Sequence, residues 1–594
     1  MEEDHSIINK FVDFLFSKNN LKYLIILFII GFVLRGLVAN NVAPNADEML
    51  HAPHAINFIN SGKLQIMDQD PVWFFLTDLS YKIFGVNMFA ARFLAVLFGS
   101  LSILILYLIV KILYNKNLAF ISAIILTFSS FHILMSLAEM DVAMMFFVLV
   151  SLFFLIKALK EKKDKYLPLS YLFLGIAILV KQIAIMFIPA LVIFFIYYKL
   201  KNKEKISFKQ ILIFILIIFI VTLPVLTFNY LLYKDKGLVD LQFSRFFGIA
   251  KETYKPIEAT IQPFSFERLL FSSNNQRAGI IDGILFFWNF DKLIFILGIL
   301  GFIIALLNRK GFLLLWLLAF LFPFIFLSGT SLLEYHFIFG VPILALFSAI
   351  LIDFLSEKFS KLRLKKNVVI SISLLILIIF NMSFVLARDV LFEKSEVTKM
   401  MSYSKDNIDN DALLIVDSRV YRGRIVWIFN DKHYLEASYF NDLAKSIDSL
   451  PGNSKNIKTY FIECATDDCG WGTINNQPDF NSSMESIVGF FKNNSAYQTT
   501  INTKHKEPYF NVYSSNLLLK DSVLNVADST HEWFYYLLRY EPKDKIFDDY
   551  NTKNAFDKFL DLIAHIILYL EILIALASII LMFYILIKSE QKQE

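Results

Sequence analysis

Charge is scarce in this chain. Asp, Glu, Lys and Arg make up 19% of its 594 residues, against 56% apolar, whereas soluble domains carry about 25% charged and 45–50% apolar residues. The apolar excess comes in long blocks, which argues against a string of soluble domains and for a membrane protein. The formal net charge is only +4, so the basic surplus that nucleic-acid binding would need is missing. Cysteine is nearly absent. Cys464 and Cys469 cannot build a disulfide framework, and two thiols alone cannot hold a structural zinc. No internal repeat or low-complexity tract stands out. The first twenty residues hold acids and no small-residue cleavage site, so the apolar run from Leu21 reads as a retained helix, not a cleaved signal.

What is present is a series of apolar blocks near the roughly 20-residue length that crosses a bilayer. Twelve spans are expected, near 21–39, 88–110, 118–136, 141–158, 166–180, 183–199, 210–232, 284–306, 311–328, 336–355, 367–387 and 558–587. Lys181-Gln182 interrupts the fifth and sixth, and a charge in mid-bilayer is costly. Two short helices meeting there would place Lys181 in water or in a polar pocket. With a cytoplasmic N-terminus, the short basic loops fall on one side: Lys111 and Lys116, Lys157 to Lys165, Lys199 to Lys205, Arg309-Lys310, Lys358 to Lys366, and Lys588. That agrees with the positive-inside rule and returns the C-terminus to the cytoplasm.

The polar block at 390–555 reads as a small α/β domain outside the cytoplasm. Ala412–Val416 and Thr459–Ile462 have the pattern of buried strands, and Tyr509–Tyr513 that of an edge strand. In such a compartment Cys464 and Cys469 are disulfide candidates, with two unpaired thiols as the alternative. The expected division is residues 1–387 as a transmembrane catalytic domain, 388–555 as the α/β domain, and 556–594 as a last transmembrane helix with a cytoplasmic tail.

The chemistry-bearing residues gather after the first span, in Asn45-Ala-Asp-Glu-Met-Leu-His-Ala-Pro-His54. If a helix starts here, Asp47, His51 and His54 share a face, although Pro53 could distort it. One carboxylate and two imidazoles suit acid–base work or a metal. They equally suit the acidic start of an ordinary surface helix. Glu139 and Asp141 lie between the third and fourth spans, on the same expected side. Lys181 sits at the turn of the next pair, either as a functional cation or as a snorkelling anchor.

The order of these features resembles the GT-C superfamily of membrane glycosyltransferases. It comprises Asp47-Glu48 after the first span, Gln69-Asp-Pro-Val-Trp-Phe-Phe running to Phe84-Gly85, Arg92 at the second span, Glu139-Met-Asp141, and Gly175…Lys181…Pro189. It is similar to the protein O-mannosyltransferases and the aminoarabinose lipid A transferases, over roughly residues 20–350. Two departures stand out. Asp70-Pro71 replaces a Pro-Pro that often follows a basic residue, and Glu334-Tyr-His336 replaces an Arg-Tyr ahead of Pro342. The Trp-Trp-Asp-Tyr-Gly motif of oligosaccharyltransferase subunits is not seen in the polar block, so single-sugar transfer ranks above oligosaccharide transfer.

The resemblance implies a polytopic α-helical fold of about 12 spans with an extracytoplasmic α/β domain. It implies inverting transfer of a sugar from a polyprenyl-phosphate (dolichyl- or undecaprenyl-phosphate) donor to a protein, lipid or glycan acceptor. The catalytic acid of the first loop maps to Asp47 and that of the second to Asp141; Glu48 would orient the acceptor. Lys181, Arg92 and Arg277 are candidates for the donor phosphate, with Arg245 and Arg268 weaker. His51, His54, Glu139 and His336 are candidates for the acceptor pocket. No cofactor is required; a divalent metal on Glu139 and Asp141 is an option. The rival readings are a transporter or flippase for a lipid or glycan, and a scaffold whose polar domain binds a partner. Against transport, the charges gather at helix ends and not at mid-membrane.

Overall fold

The structure, a computed structural model, describes residues 20–591 except 46, 57–70, 238, 240–279, 309–311, 331–332, 362–364, 421, 447–448, 467–468, 470–477 and 529–549. The helices are α1 (Asn20–Asn41), α2 (Glu48–His54), α3 (Pro71–Phe84), α4 (Met88–Leu113), α5 (Lys116–Thr127), α6 (Ser130–Leu134), α7 (Asp141–Glu161), α8 (Leu167–Val180), α9 (Phe187–Lys201), α10 (Phe208–Lys236), α11 (Ile280–Leu307), α12 (Leu313–Thr330), α13 (Gly340–Ser360) and α14 (Lys366–Leu386). Then come α15 (Glu396–Asn407), β1 (Leu413–Val416), α16 (Arg422–Ile428), β2 (His433–Glu436), α17 (Ala437–Ala444), β3 (Ser454–Cys464), α18 (Pro478–Asn494), β4 (Ala496–Asn502), β5 (Pro508–Lys520) and α19 (Ala555–Gln591). Short 3-10 helices, Gln182–Met186 and Glu334–Phe339, lead into α9 and α13.

Every one of the twelve expected spans is helical. Among the described residues nine helices are long and apolar enough to cross a membrane; α5, α8 and α12 are shorter. The chain is an integral membrane protein. Helices α4, α7 and α13 are buried on nearly all sides, whereas α10 and α19 keep rows of exposed apolar side chains, among them Phe208, Leu212, Phe219, Leu573 and Ile580. Such rows are what a lipid-facing helix presents. Local signals fix the helix starts: Asn87, Asn115 and Ser129 accept hydrogen bonds from Ala90, Leu118 and His132 backbone N–H groups, and Ser207 with Gln210 forms a capping box. Gly301 allows α11 to lie on α13, since a Cβ there would stand 1.8 Å from the Phe347 carbonyl oxygen.

The third expected span is broken between α5 and α6. Inside a membrane the freed backbone groups must find partners within the protein. Here they find charged ones. Arg35 of α1, 0% exposed, donates to the carbonyls of Leu126 (3.1 Å) and Thr127 (3.5 Å), and also to His132 Nδ1. Asn381 of α14 donates to the Phe128 carbonyl at 3.0 Å. On the other side of the break, Asp291 accepts from the hydroxyls of Ser129 and Ser130 at the start of α6. A cation on the last carbonyls and an anion on the first N–H groups follow the helix dipole at both ends. Asp291 itself occupies a non-helical kink in α11 (φ −138°, ψ 49°). These two buried charges correct the expectation that charge is confined to helix ends.

The polar block folds as a five-stranded sheet in the order β2-β1-β3-β5-β4, with β1 parallel to β2 and β3, and β5 antiparallel to β3 and β4. Both faces are covered, which explains the continuous apolar run of β1. Leu413 and Ile415 face a small core with Phe461 and Phe491, while Leu414 and Val416 face the side continuous with the helical body. The expected edge strand at Tyr509–Tyr513 is an interior strand, longer than expected; its looser alternation reflects the bulges where β4 pairs with it. The edges are β2 and β4, which the sequence pattern did not reveal. Cys464 and Cys469 are disulfide-bonded.

If Arg35 is what satisfies the broken span, Arg35→Leu orphans two buried carbonyls, each costing about 1–3 kcal/mol. Thermal unfolding in detergent is expected to show a clear drop in Tm for Arg35→Leu. A Tm equal to wild type would show that the break is held by something else.

Candidate active site

The site is built where α1 ends, α2 begins and the loop between α6 and α7 returns. Asn45 and Glu48 cap α2 reciprocally: the Asn45 side chain accepts from the Glu48 N–H at 2.8 Å, and Glu48 accepts from the Asn45 N–H at 3.0 Å. That relieves Asp47 of capping, and its side chain makes no cap hydrogen bond. It accepts instead from the Tyr335 hydroxyl.

Glu48 is fully buried and pairs with Arg92 in two parallel hydrogen bonds of 2.7 Å. It also accepts from the Ala138 N–H. The third guanidinium nitrogen of Arg92 donates to the carbonyls of Ala39 and Val42, both at 2.8 Å. Arg92 is 0% exposed. Every guanidinium nitrogen of Arg92, expected at the donor phosphate, is thus engaged within the protein, and Glu48, expected to orient the acceptor, holds the loop. Arg277, with the weaker candidates Arg245 and Arg268, and the Asp70 departure, lies outside the described residues.

The other acids converge on the same place. Asp141, 0% exposed at the first residue of α7, pairs with Lys181 (Nζ to Oδ2 2.6 Å) and His336 (Nδ1 to Oδ1 3.2 Å). Lys181 stands at the junction of α8 and its following 3-10 turn, 5% exposed, so the interruption in the sequence becomes a polar pocket. Its Nζ is also 3.1 Å from His336 Nδ1 and 5.6 Å from the Tyr335 ring centre. His336 Nδ1 thus either accepts from the ammonium or, protonated, donates to the carboxylate. Tyr335, unanticipated, links the halves: its hydroxyl reaches Asp47 and its ring lies 4.4 Å from that of His336. The signal was there, in the Glu334-Tyr-His336 triplet ahead of Pro342.

Glu139 Oε2 is 3.2 Å from His51 Nδ1, and Oε1 is buried with no hydrogen-bond partner. Burial pushes the Glu139 carboxyl well above the usual carboxylate range, and the neighbouring Asp47 charge adds to this; Lys181 opposes it. The His54 ring packs edge-on to Phe74, 6.2 Å away, as the His51 ring does at 6.4 Å. The sequence face of Asp47, His51 and His54 is thus split, with Asp47 on Tyr335 and His51 on Glu139. Among the described residues no group of three or more His, Cys, Asp or Glu is arranged to hold a metal, and both Asp141 oxygens have partners already.

Two outcomes follow from this geometry. Lys181→Met would strand a buried carboxylate, at a cost of about 3–5 kcal/mol; pairing it with Asp141→Asn should restore more than half of the lost Tm, and a double variant as unstable as the single would refute the pairing. Glu139 binds its proton more tightly in the folded chain than in the unfolded one. Wild-type stability should therefore fall as pH rises from the ordinary carboxylate range up through the raised value. Glu139→Gln should flatten that slope in melting curves from mildly acidic to mildly alkaline pH; an unchanged slope assigns it elsewhere.

Known proteins share this architecture. A family model for dolichyl-phosphate-mannose-protein mannosyltransferases matches residues 68–228. An uncharacterized protein of Aquifex aeolicus is 26% identical over 233 residues, 38% of this chain and 46% of that protein, so the match spans less than half of the relative. The crystal structure of ArnT from Cupriavidus metallidurans bound to undecaprenyl phosphate aligns with TM-score 0.54 at 11% identity, covering 84% of this chain and 98% of that one. The Archaeoglobus fulgidus oligosaccharyltransferase aligns with TM-score 0.50 at 12% identity, covering 83% of this chain and 80% of that one. The chain thus shares the polytopic helical fold of ArnT and of the archaeal oligosaccharyltransferase, and over residues 68–228 is similar to the mannosyltransferase family.

Proposed function

We propose that the chain transfers a single sugar from a polyprenyl-phosphate donor to a hydroxyl-bearing acceptor on the extracytoplasmic side, with inversion and with Asp47 as general base. One observation supports this above others. Of the four clustered acids, Glu48, Glu139 and Asp141 are at most 1% exposed, and Asp47 alone is partly open. A base must reach the proton it removes. In this reading Asp47 takes the acceptor proton as the hydroxyl oxygen attacks the anomeric carbon. The bond to phosphate breaks with its electron pair, leaving polyprenyl phosphate.

Tyr335 orients the Asp47 carboxylate for this step. Lys181, already beside Asp141, is the cation nearest to hand for the leaving phosphate. Asp141 and His336 hold its ammonium in place between turnovers. The undecaprenyl phosphate in the ArnT structure and the mannosyltransferase family match support a lipid-phosphate donor. The loops rich in Lys and Arg at the far end of the bundle support an extracytoplasmic site. The division into a catalytic membrane part to residue 387, a sheet domain to residue 555 and a last helix belongs to the same proposal.

Asp47→Asn keeps the shape and removes the base. It is expected to lower sugar transfer from a radiolabelled polyprenyl-phosphate donor by about 10²–10⁴-fold, with folded protein unchanged in amount. Full activity in Asp47→Asn would remove Asp47 from the role. Movement of donor across vesicles with no transferred product would favour the transporter reading.

A further inference from the structure

The segment carrying Asp47 is gripped from two sides. From the membrane side Arg92 holds the carbonyls of Ala39 and Val42 and the carboxylate of Glu48. From the sheet domain, the Thr398 hydroxyl donates to the Asn40 carbonyl at 3.0 Å, and α16 packs on α2. Arg424 reaches across from α16 to α2. Its Nε points at Met49 Sδ, and its Nη1 donates to the Cys469 carbonyl at 3.0 Å and to the Tyr509 hydroxyl.

Arg424 is 8% exposed and pairs with no carboxylate among the described residues. Met49 is 3% exposed and follows Asp47 by two positions, which places it on the opposite side of the helix. Arg424 therefore does not enter the acid cluster; it presses on the back of the helix that presents it. The carbonyl on which it is braced belongs to Cys469, closed onto the end of β3 by the disulfide with Cys464.

We infer that the sheet domain is a working part of the transfer site, and that Arg424, braced on the disulfide loop, is a positioning residue that holds α2, and through it Asp47, in register with Asp141 and Lys181. This rests on Asp47 being the base.

The test uses the full chain in lipid–detergent micelles. Arg424→Gln and the Cys464→Ser/Cys469→Ser pair are each expected to lower kcat about 10–100-fold, the effect of a small displacement of a catalytic group. Donor KM should stay within about twofold, since binding is untouched. Combining the two changes should cost no more than either alone, because both act through α2. Arg424→Lys should recover part of the loss. Amide exchange in the peptide spanning 47–54 should accelerate about tenfold while β3 and β5 stay protected. Unchanged kcat and exchange, additive losses, or a KM rise that accounts for the whole effect would overturn the inference. If Arg424→Gln does not fold, Thr398→Val takes its place: faster exchange across 40–49 supports the grip, and unchanged exchange refutes it. Asp47→Asn runs alongside. An inactive Asp47→Asn with a fully active Arg424→Gln rejects the positioning role alone; an active Asp47→Asn overturns both.

Discussion

The pair between Glu48 and Arg92 is the joint on which the site is assembled. Both groups are fully buried, so each depends on the other to offset the loss of its hydration. Their bidentate geometry admits one arrangement. Arg92 ties the start of α4 to the end of α1, and Glu48 ties both to the Ala138 N–H in the loop that carries Glu139 and Asp141. Three chain segments are thereby fixed relative to one another at the end of the bundle. Asp47 takes its place by being the neighbour of the residue that is locked. An adjacent acidic dipeptide thus divides its contacts: Glu48 is locked by Arg92 and the Ala138 N–H, and Asp47 turns to the Tyr335 hydroxyl.

Around that joint the electrostatics are graded by access. Asp141 is compensated by Lys181 and His336, Glu139 has only an imidazole and an orphan oxygen, and Asp47 has a phenol and an opening. The sheet domain packs on the same segment from its other side, through Thr398 on the Asn40 carbonyl and Arg424 on Met49.

Much of this was legible beforehand, for physical reasons. Apolar blocks of bilayer length must be helices, and the basic loops give them sides, so the topology that brings Asp47, Asp141 and Lys181 to one end could be read from residue order alone. What could not be read was pairing. Arg92 looked like a phosphate ligand because its partner lies 44 residues earlier, and nothing in a linear pattern says which of two adjacent acids it will choose. Tyr335 was hidden for the same reason: nothing in the Glu334-Tyr-His336 triplet marks which side chain turns to Asp47. Arg35 and Asp291 were hidden inside apolar blocks whose average masks a single charge. The strands β2 and β4 were missed for a related reason: at an edge, the run of buried residues that marks a strand is short or mixed.

The broken span has a consequence for biogenesis. Arg35 sits in α1, while the carbonyls it serves lie 91 and 92 residues further along the chain. During synthesis α1 emerges with a guanidinium that has no partner yet, a burden of roughly 2.5–3.5 kcal/mol for insertion into lipid. The many apolar residues of α1 outweigh that burden for insertion, but the guanidinium is satisfied only when α5 arrives, so the break in the third span is served by a helix made well before it.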